Sequence, residues 1–171
     1  MSINFILSGA VISPCRRFRT RLWRVWSEAP RLLVIMLNPS TADANTSDRT
    51  IDWLVRWAVK NEFGGIEVMN VYDYRATDPR ELKRAGWPMS EQNIKIIGAV
   101  ARVCGRVVCA WGAHARAEDV KNVLRVLDDV ELFYFKMNAS GSPSHPLYLP
   151  GDVALIRWSE EDRWARGLTP P

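Results

Sequence analysis

Three loops of this sequence carry side chains that could do chemistry, and each loop follows an apolar run. Asn38 comes directly after the six apolar residues Leu32 to Leu37, Asn70 lies at the end of a later run, and His145 lies in a Pro-flanked loop after the last one. In open α/β sheets, ligands bind beyond the carboxyl ends of the strands, where such loops meet. A histidine in a rigid loop suits a placed hydrogen-bond donor, so these residues form the candidate site.

The segment from Leu32 to Asp48 contains the first of these loops. Its apolar run is typical of a buried central strand in a parallel sheet. Pro39 has no backbone N–H and a fixed φ, so the strand ends before it. The small polar residues that follow have two interpretations. Either Ser40 and Asp43 contact a ligand, or one of Ser40, Thr41 and Asp43 only caps the next helix.

The second loop combines polar and aromatic residues, with Tyr72 and Arg75 close behind Asn70. Arginine suits both carboxylate and phosphate recognition. Arg75 therefore either pairs with an aspartate of these loops or contacts a phosphate. We expect the charged loop residues to shape the loops without needing to touch a ligand. They are Asp43, Asp48, Arg75 and Asp78.

Other chemistries fit the sequence poorly. His114 follows Gly112-Ala113 at a predicted helix start, where a capping or surface role is favoured over catalysis. The three cysteines are widely spaced and odd in number, so they give neither a disulfide framework nor a metal-binding pair. No glycine-rich nucleotide loop, Walker lysine motif, nucleophile elbow or zinc-deaminase motif occurs. We therefore expect no cofactor and no metal.

Hydrophobic periodicity predicts strands that alternate with helices. The predicted strands are 3–12, 16–26, 32–37, 66–72, 106–110 and 130–137, with a last strand or turn at 153–158. The predicted helices are 51–63 with Asp48 as N-cap, 81–85, a helix from Ser90 as N-cap to 103, and 116–127. This alternation implies a three-layer α/β/α sandwich with a mostly parallel central sheet. The first two strands are predicted to add an antiparallel hairpin.

Composition and charge limit the protein class further. The 171 residues fit a single α/β domain over 1–171, and 47% hydrophobic content is ordinary for a globular protein. A net charge of +4 permits a phosphate-bearing partner without requiring one. We expect no signal peptide, no membrane span and a reducing, cytoplasmic environment. The sequence does not decide the oligomeric state.

The most basic stretch is the predicted strand over 16–26, which contains five arginines. In an alternating strand, Arg17, Arg19 and Arg21 share one face. Two interpretations are open: a solvated edge strand protected by charge, or a phosphate-binding arm that binds DNA in a salt-sensitive way.

Four motifs, in this order, resemble known families. They are Met36 to Asp43 (MLNPSTAD), Asn70 to Pro79 (NVYDYRATDP), Val107 to Gly112 (VVCAWG) and His145 to Leu149 (HPLYL). With them the chain closely resembles a bacterial and phage family known as domain of unknown function 1643. The same order also resembles the uracil-DNA glycosylase superfamily, although Leu147-Tyr148 stands where that superfamily has Ser-Pro.

The glycosylase resemblance implies a uracil-DNA glycosylase-like sandwich and a role for each motif. Asn38 would orient a water near the sugar C1′, and Asn70 would hydrogen-bond the edge of a flipped-out base. His145 would donate to a base oxygen as negative charge develops on the leaving base. Further candidates for ligand contact are Pro39, Ser40, Asp43, Tyr72, Arg75, Trp111, Leu147 and Tyr148.

Three function hypotheses follow. The first is a DNA- or nucleobase-acting hydrolase of glycosylase type. The second is a non-catalytic protein that binds a nucleotide or a modified base in the same pocket. The third is a protein-interaction module that uses a tryptophan-rich surface. Asn38, Asn70 and His145 within one cleft would support the first two, and their scatter would support the third.

Overall fold

The structure is a computed structural model that describes residues 3–164. Its strands are β1 (Leu7–Ile12), β2 (Arg19–Val25), β3 (Arg31–Met36), β4 (Gly65–Asn70), β5 (Arg106–Cys109), β6 (Leu132–Tyr134) and β7 (Ile156–Arg157). Its α-helices are α1 (Arg49–Lys60), α2 (Pro79–Arg84), α3 (Glu91–Ala101), α4 (Ala117–Arg125) and α5 (Glu160–Trp164), and a 3₁₀ helix spans Pro146–Tyr148. No helix in residues 3–164 is long and apolar enough to cross a bilayer.

The strands form one mixed sheet in the order β1-β2-β4-β3-β5-β6-β7. The central strands β4, β3, β5 and β6 are parallel to one another. The pairings β1–β2, β2–β4 and β6–β7 are antiparallel, which is three of the six pairings. The α/β class and the N-terminal hairpin agree with the sequence, but the predicted mostly parallel sheet is not confirmed. The reason is that the hairpin and β7 extend the two edges of the sheet with antiparallel strands.

Strand β3 is buried because its side chains enter two different cores. Leu33 and Ile35 join a core that includes residues of α3 and α4. Leu32 and Val34 join a second core that includes residues of α1. Successive side chains of a strand point to opposite faces, so an uninterrupted apolar run marks a strand covered on both sides. The sequence prediction for this strand is confirmed to within one residue at each end.

The predicted N-caps of α1 and α3 are confirmed, although α1 begins two residues before the predicted range. The Asp48 side chain accepts hydrogen bonds from the backbone N–H groups of Thr50 and Ile51, and Ser90 caps α3 in the same manner. Helix α1 ends at Lys60, earlier than predicted, and Glu62 has a positive φ of 62°. The chain therefore turns before Gly64 and enters β4 directly.

Arg19 and Arg21 do not share one face of β2, and Arg17 lies before the strand, which corrects the prediction for these three residues. The pairing of β1 with β2 shifts register between Val11 and Ile12, so one residue of β2 is extra. Such a bulge reverses the alternation of side chains. Arg19 is 2% exposed and donates from Nη1 to the carbonyl of Ala42 at 2.7 Å.

Arg21 instead lies on the other side of the bulge and forms an ion pair. It donates two hydrogen bonds of 2.8 Å to the carboxylate of Glu67, which also accepts from Arg31 at 2.8 Å. Arg24 is buried and donates to the carbonyls of Asp43 and Thr46. Neither the solvated strand face nor the phosphate-binding arm describes these three arginines of β2.

We expect Glu67→Gln to lower the free energy of unfolding by about 2 kcal/mol, because three charge-assisted hydrogen bonds lose their anion. Arg21 and Arg31 are partly exposed and can be hydrated, which limits the loss. The control is Asp129→Asn, which breaks an exposed pair with Arg102 and should cost under about 1 kcal/mol. Urea unfolding measures both values. Equal losses in the two variants would contradict this assignment.

Candidate functional site

A cavity of about 460 Å³ opens at the carboxyl ends of β3 and β5, and we call it the strand-end cavity. Its walls come from the loops after β3, β4 and β5, the start of α1 and the segment around the 3₁₀ helix. The polar lining residues are Asn38, Ser40, Asp48, Arg49, Thr50, Thr77, His114 and His145. The others are Leu37, Ala76, Trp111, Gly112 and Leu147. Both histidines of the chain therefore line the same cavity.

The position of this cavity follows from the connectivity of the sheet. Helix α1 leads from β3 to β4 and packs in one core, whereas α3 precedes β5 and packs in the other core. After β3 the chain continues to β4, which flanks β3 on one side within the sheet. After β4 it crosses to β5, which flanks β3 on the other side. A parallel sheet has its ligand crevice at such a reversal of strand order, beyond the carboxyl ends. The strand-end cavity lies at this point.

Asn38 joins the first loop to the second. Its Nδ2 donates to the carbonyl of Ala76 at 2.7 Å and to the carbonyl of Pro39 at 3.1 Å. Both partners are carbonyl oxygens, so the atom that faces them is the amide nitrogen. The acceptor Oδ1 has no hydrogen bond within residues 3–164. Asn38 can therefore fix the loops with one end of its amide and accept a hydrogen bond with the other.

His145 is held as a neutral donor. Its Nδ1 accepts a hydrogen bond from the backbone N–H of Leu147 at 3.3 Å, so the neutral ring has its proton on Nε2. Burial lowers the pKa of His145 below its usual 6.5, and the carboxylate of Asp48 offsets only part of this effect. At neutral pH the ring is therefore uncharged and presents an Nε2–H group.

Two tryptophans of α1 hold the segment after His145 in place. The indole N–H of Trp53 donates to the carbonyl of Leu149 at 3.1 Å, and that of Trp57 donates to the carbonyl of Val153 at 2.8 Å. Both rings pack edge-on against Phe135, with centroid distances of 5.3 and 5.0 Å. The helix that begins at the cavity with Asp48 therefore also anchors the loop that carries His145.

Several lining residues were missed from the sequence. Asp48 was predicted as a helix cap, which is confirmed, but its position in the cavity wall was not foreseen. Arg49 and Thr50 follow it into the wall, and His114 lines the cavity although it was assigned a capping or surface role. His114 is exposed and lies in the loop that follows β5. The available signal was that it follows a predicted strand at 106–110, whose carboxyl end should lie at the same edge of a parallel sheet.

Asn70 does not line the strand-end cavity, so the predicted three-residue site is wrong at this position. Hydrogen bonding between β3 and the chain after β4 continues past Asn70, from Val71 N–H to Met36 and from Tyr72 N–H to Leu37. Asn70 therefore stays inside the sheet, 1% exposed. Its Nδ2 and Oδ1 are buried without a hydrogen-bond partner in the described residues. The second loop reaches the cavity only at Ala76 and Thr77.

Tyr72 is also placed away from the cavity. It is buried in the core that contains α3 and α4, where its hydroxyl donates to Asp119 at 2.6 Å and accepts from the N–H of Arg116. Burial and the Asp119 carboxylate raise the pKa of this phenol. Tyr72 positions α4 rather than stacking on a ligand, because the continued β3 pairing turns it into the core.

The charged residues of the loops have structural roles. Asp43 closes its own turn by accepting from the N–H groups of Asn45 and Thr46, which lower the pKa of its carboxyl group. Arg75 donates to the carbonyls of Ser40, Thr41 and Arg16. The expected arginine–aspartate pair is absent from the described hydrogen bonds and ion pairs, and backbone carbonyls take its place.

Of the other predicted contacts, Ser40, Trp111 and Leu147 line the cavity, and Pro39 lies beside it in the chain. Trp111 is buried and also lines a smaller cavity of about 140 Å³ near α4 and α5. The side chain of Tyr148 lies outside the described part of the structure. Within the described residues, no group of three His, Cys, Asp or Glu side chains is arranged to hold a metal ion.

Comparison with known proteins identifies a family but no activity. Residues 19–147 match the family described as "Protein of unknown function (DUF1643)", which is more than half of the chain. The chain belongs to this family. Comparisons with curated proteins and with solved structures give no significant match.

We expect Arg75→Ala to lower the free energy of unfolding by about 1–2 kcal/mol, because three backbone carbonyls lose a cationic donor. Ligand affinity should be unchanged, since Arg75 does not line the cavity. Arg56→Ala removes an exposed arginine of α1 and serves as the control for charge. Chemical unfolding gives the stability. A normal stability together with weakened affinity would instead support phosphate contact.

The histidine predicts a pH dependence with a definite sign. Because the folded-state pKa of His145 lies below 6.5, the unfolded chain binds a proton more readily than the folded chain. This preferential protonation of the unfolded chain has little effect at pH 7. It lowers the free energy of unfolding as the pH falls below 6.5. We expect the stability of His145→Gln to decline less steeply than that of the wild type over this range.

Thermal unfolding from pH 7.5 to 5 measures this slope. His114→Gln is the matched control, because it makes the same substitution at an exposed position. Identical slopes for the wild type and His145→Gln would show that His145 is not held in a neutral state by burial.

Proposed function

We propose that this member of the DUF1643 family is a nucleobase-acting hydrolase that cleaves an N-glycosidic bond, with the base in the strand-end cavity. The observation that carries the proposal is the joint presence of Asn38 and His145 in one cavity at the reversal point of the sheet. The two residues supply the groups that the reaction needs. An amide oxygen orients water, and a neutral imidazole N–H stabilises charge on the departing base.

The size and charge of the cavity support a base rather than a phosphate as the group bound inside. A volume of about 460 Å³ is within the range of small-molecule sites. Helix N-termini commonly bind phosphate through free N–H groups. Here the carboxylate of Asp48 already accepts from the N–H groups of Thr50 and Ile51, so a phosphate would meet a negative charge.

The likeness to uracil-DNA glycosylases supports the reaction class through some residues and not through others. The first and last motifs bring Asn38 and His145 to the cavity, and the third brings Trp111 and Gly112. The second motif differs, because Asn70 is buried in the sheet. In this chain the second loop contributes Ala76 and Thr77 to the cavity wall. Residues other than Asn70 would therefore recognise the edge of the base.

A non-catalytic base-binding protein is the second candidate. The observation in its favour is that the residue assigned to the base edge, Asn70, lies away from the cavity, while a cavity lined by Asn38, Thr77 and His145 is retained. The protein-interaction module has less support. None of the seven tryptophans whose side chains are described is exposed.

Contact with nucleic acid remains part of the proposal in a reduced form. In the basic N-terminal stretch only Arg16 and Arg17 are exposed, because Arg19, Arg21 and Arg24 are engaged within the fold. Few phosphate contacts imply weak and moderately salt-sensitive binding. Leu147 lines the cavity and could support an extruded base.

The free thiols of all three cysteines suit a reducing cytoplasm.

The test is release of free base from a panel of oligonucleotides and nucleosides that carry uracil, hypoxanthine and other modified bases. We expect cleavage by the wild type and a loss of about 10²–10³-fold in His145→Gln, the usual size of a charge-stabilising donor. Arg125→Ala, on the exposed side of α4, should keep full activity.

The outcomes separate the candidates. Binding of a base or nucleoside without release, measured by calorimetry, would support the binding protein. Neither binding nor release over the whole panel would remove both proposals. Equal activity of the wild type and His145→Gln would remove His145 from the reaction.

A further inference from the structure

The wall of the strand-end cavity contains one carboxylate among its described residues, and it belongs to Asp48. Its Oδ1 accepts both cap hydrogen bonds, from the N–H groups of Thr50 and Ile51 at 3.0 Å each. Its Oδ2 makes no hydrogen bond to residues 3–164. A cap requires only one oxygen, so the second oxygen is available to the cavity.

The two cap hydrogen bonds fix the carboxylate in position. Asp48 stands before α1, a helix of 12 residues. Trp53 and Trp57 of this helix pack against Phe135. A side chain locked by its own hydrogen bonds and by a packed helix is preorganised for chemistry. Asp48 is also close enough to His145 for its charge to raise the pKa of that ring, against the opposite effect of burial.

The proposed reaction needs a group that the previously assigned residues lack. Cleavage of an N-glycosidic bond passes through a cation-like sugar, and the attacking water must lose a proton. An amide such as that of Asn38 can orient water but cannot take its proton, whereas a carboxylate can do so and also stabilises positive charge. Carboxylates fill these roles in glycoside hydrolysis for the same reason.

We propose that Asp48 is the general base of this site, which accepts a proton through Oδ2 from a water molecule that Asn38 orients. The inference rests on the proposed glycosidic hydrolysis. The water oxygen bonds to C1′ while the C1′–N bond breaks. The electron pair of the broken bond leaves with the base. One water proton moves to Asp48 and the other stays on the new C1′ hydroxyl. His145 donates a hydrogen bond to the leaving base, which then takes a proton from solvent.

Asp48→Asn separates the two roles of this residue. Asparagine is as good an N-cap as aspartate, so the fold should be retained while the proton acceptor is lost. On any substrate that the wild type cleaves, we expect kcat to fall at least about 100-fold, as is usual for loss of a general base. The Kd for the free base should change less than about threefold, since the neutral amide keeps the shape of the site.

The matched control is Asp78→Asn, which makes the same change at the cap of α2, outside the cavity. It should keep wild-type kcat. If Asp48→Asn fails to fold, Asp48→Ser retains a capping hydroxyl and takes its place. An NMR titration of His145 checks that the charge beside this ring has been removed: the loss of the Asp48 charge should lower the pKa of His145 further.

The results distinguish this inference from the proposed function. An active wild type with an inactive, folded Asp48→Asn and a lowered His145 pKa supports it. An active wild type with an equally active Asp48→Asn overturns it and leaves the proposed function standing. A wild type that cleaves nothing in the panel overturns both, even if the His145 pKa responds to Asp48.

Discussion

The packing of Trp53 and Trp57 against Phe135 is the contact on which the site geometry depends most. These rings lock α1 to the end of β6, and their indole N–H groups hold the carbonyls of Leu149 and Val153. One rigid helix thus presents Asp48 at its start and fixes the segment after His145 along its side. Two loops distant in sequence are therefore held by the same helix.

The loop after β3 is stabilised differently, by buried cations that donate to backbone carbonyls. Arg19 donates to Ala42, and Arg24 donates to Asp43 and Thr46. Burial lowers the pKa of Arg19 to about 10, with Asp48 acting in the opposite direction. Removal of a guanidinium from water is costly unless its donors are satisfied. The carbonyls accept hydrogen bonds from part of these donors and tie the loop to the hairpin. Arg19 and Arg24 of the basic stretch therefore stabilise the fold.

Local features of the sequence predicted local features of the fold. The apolar run of β3, the Asp48 and Ser90 caps and the hairpin are set by neighbouring residues, and all are present. The placement of Asn38 and His145 in one cavity followed from the rule for strand ends. The sequence prediction misplaced Asn70 because hydrogen bonds with β3 keep the chain paired in the sheet beyond this residue.

A similar limit applies to the arginines of β2 and to His114. A single bulge separates Arg19 from Arg21, and periodicity over a short strand does not reveal it. His114 lines the cavity because the chain turns after Trp111-Gly112 toward the crevice. Its sequence neighbours indicate only a helix start. In both cases the deciding contact is made by residues far away along the chain.

The charge at the cavity differs from that of the whole chain, and this difference bears on the ligand. The net charge is +4, whereas the carboxylate of Asp48 and the guanidinium of Arg49 balance each other among the described lining residues, beside the neutral imidazole of His145. Under the proposed function, the carboxylate disfavours a phosphate in the cavity and would stabilise positive charge on the sugar of a neutral, hydrogen-bonding base. The proposed arrangement, with a base inside the cavity and its phosphates outside in solvent, agrees with both the balanced charge of the lining and the positive net charge of the chain.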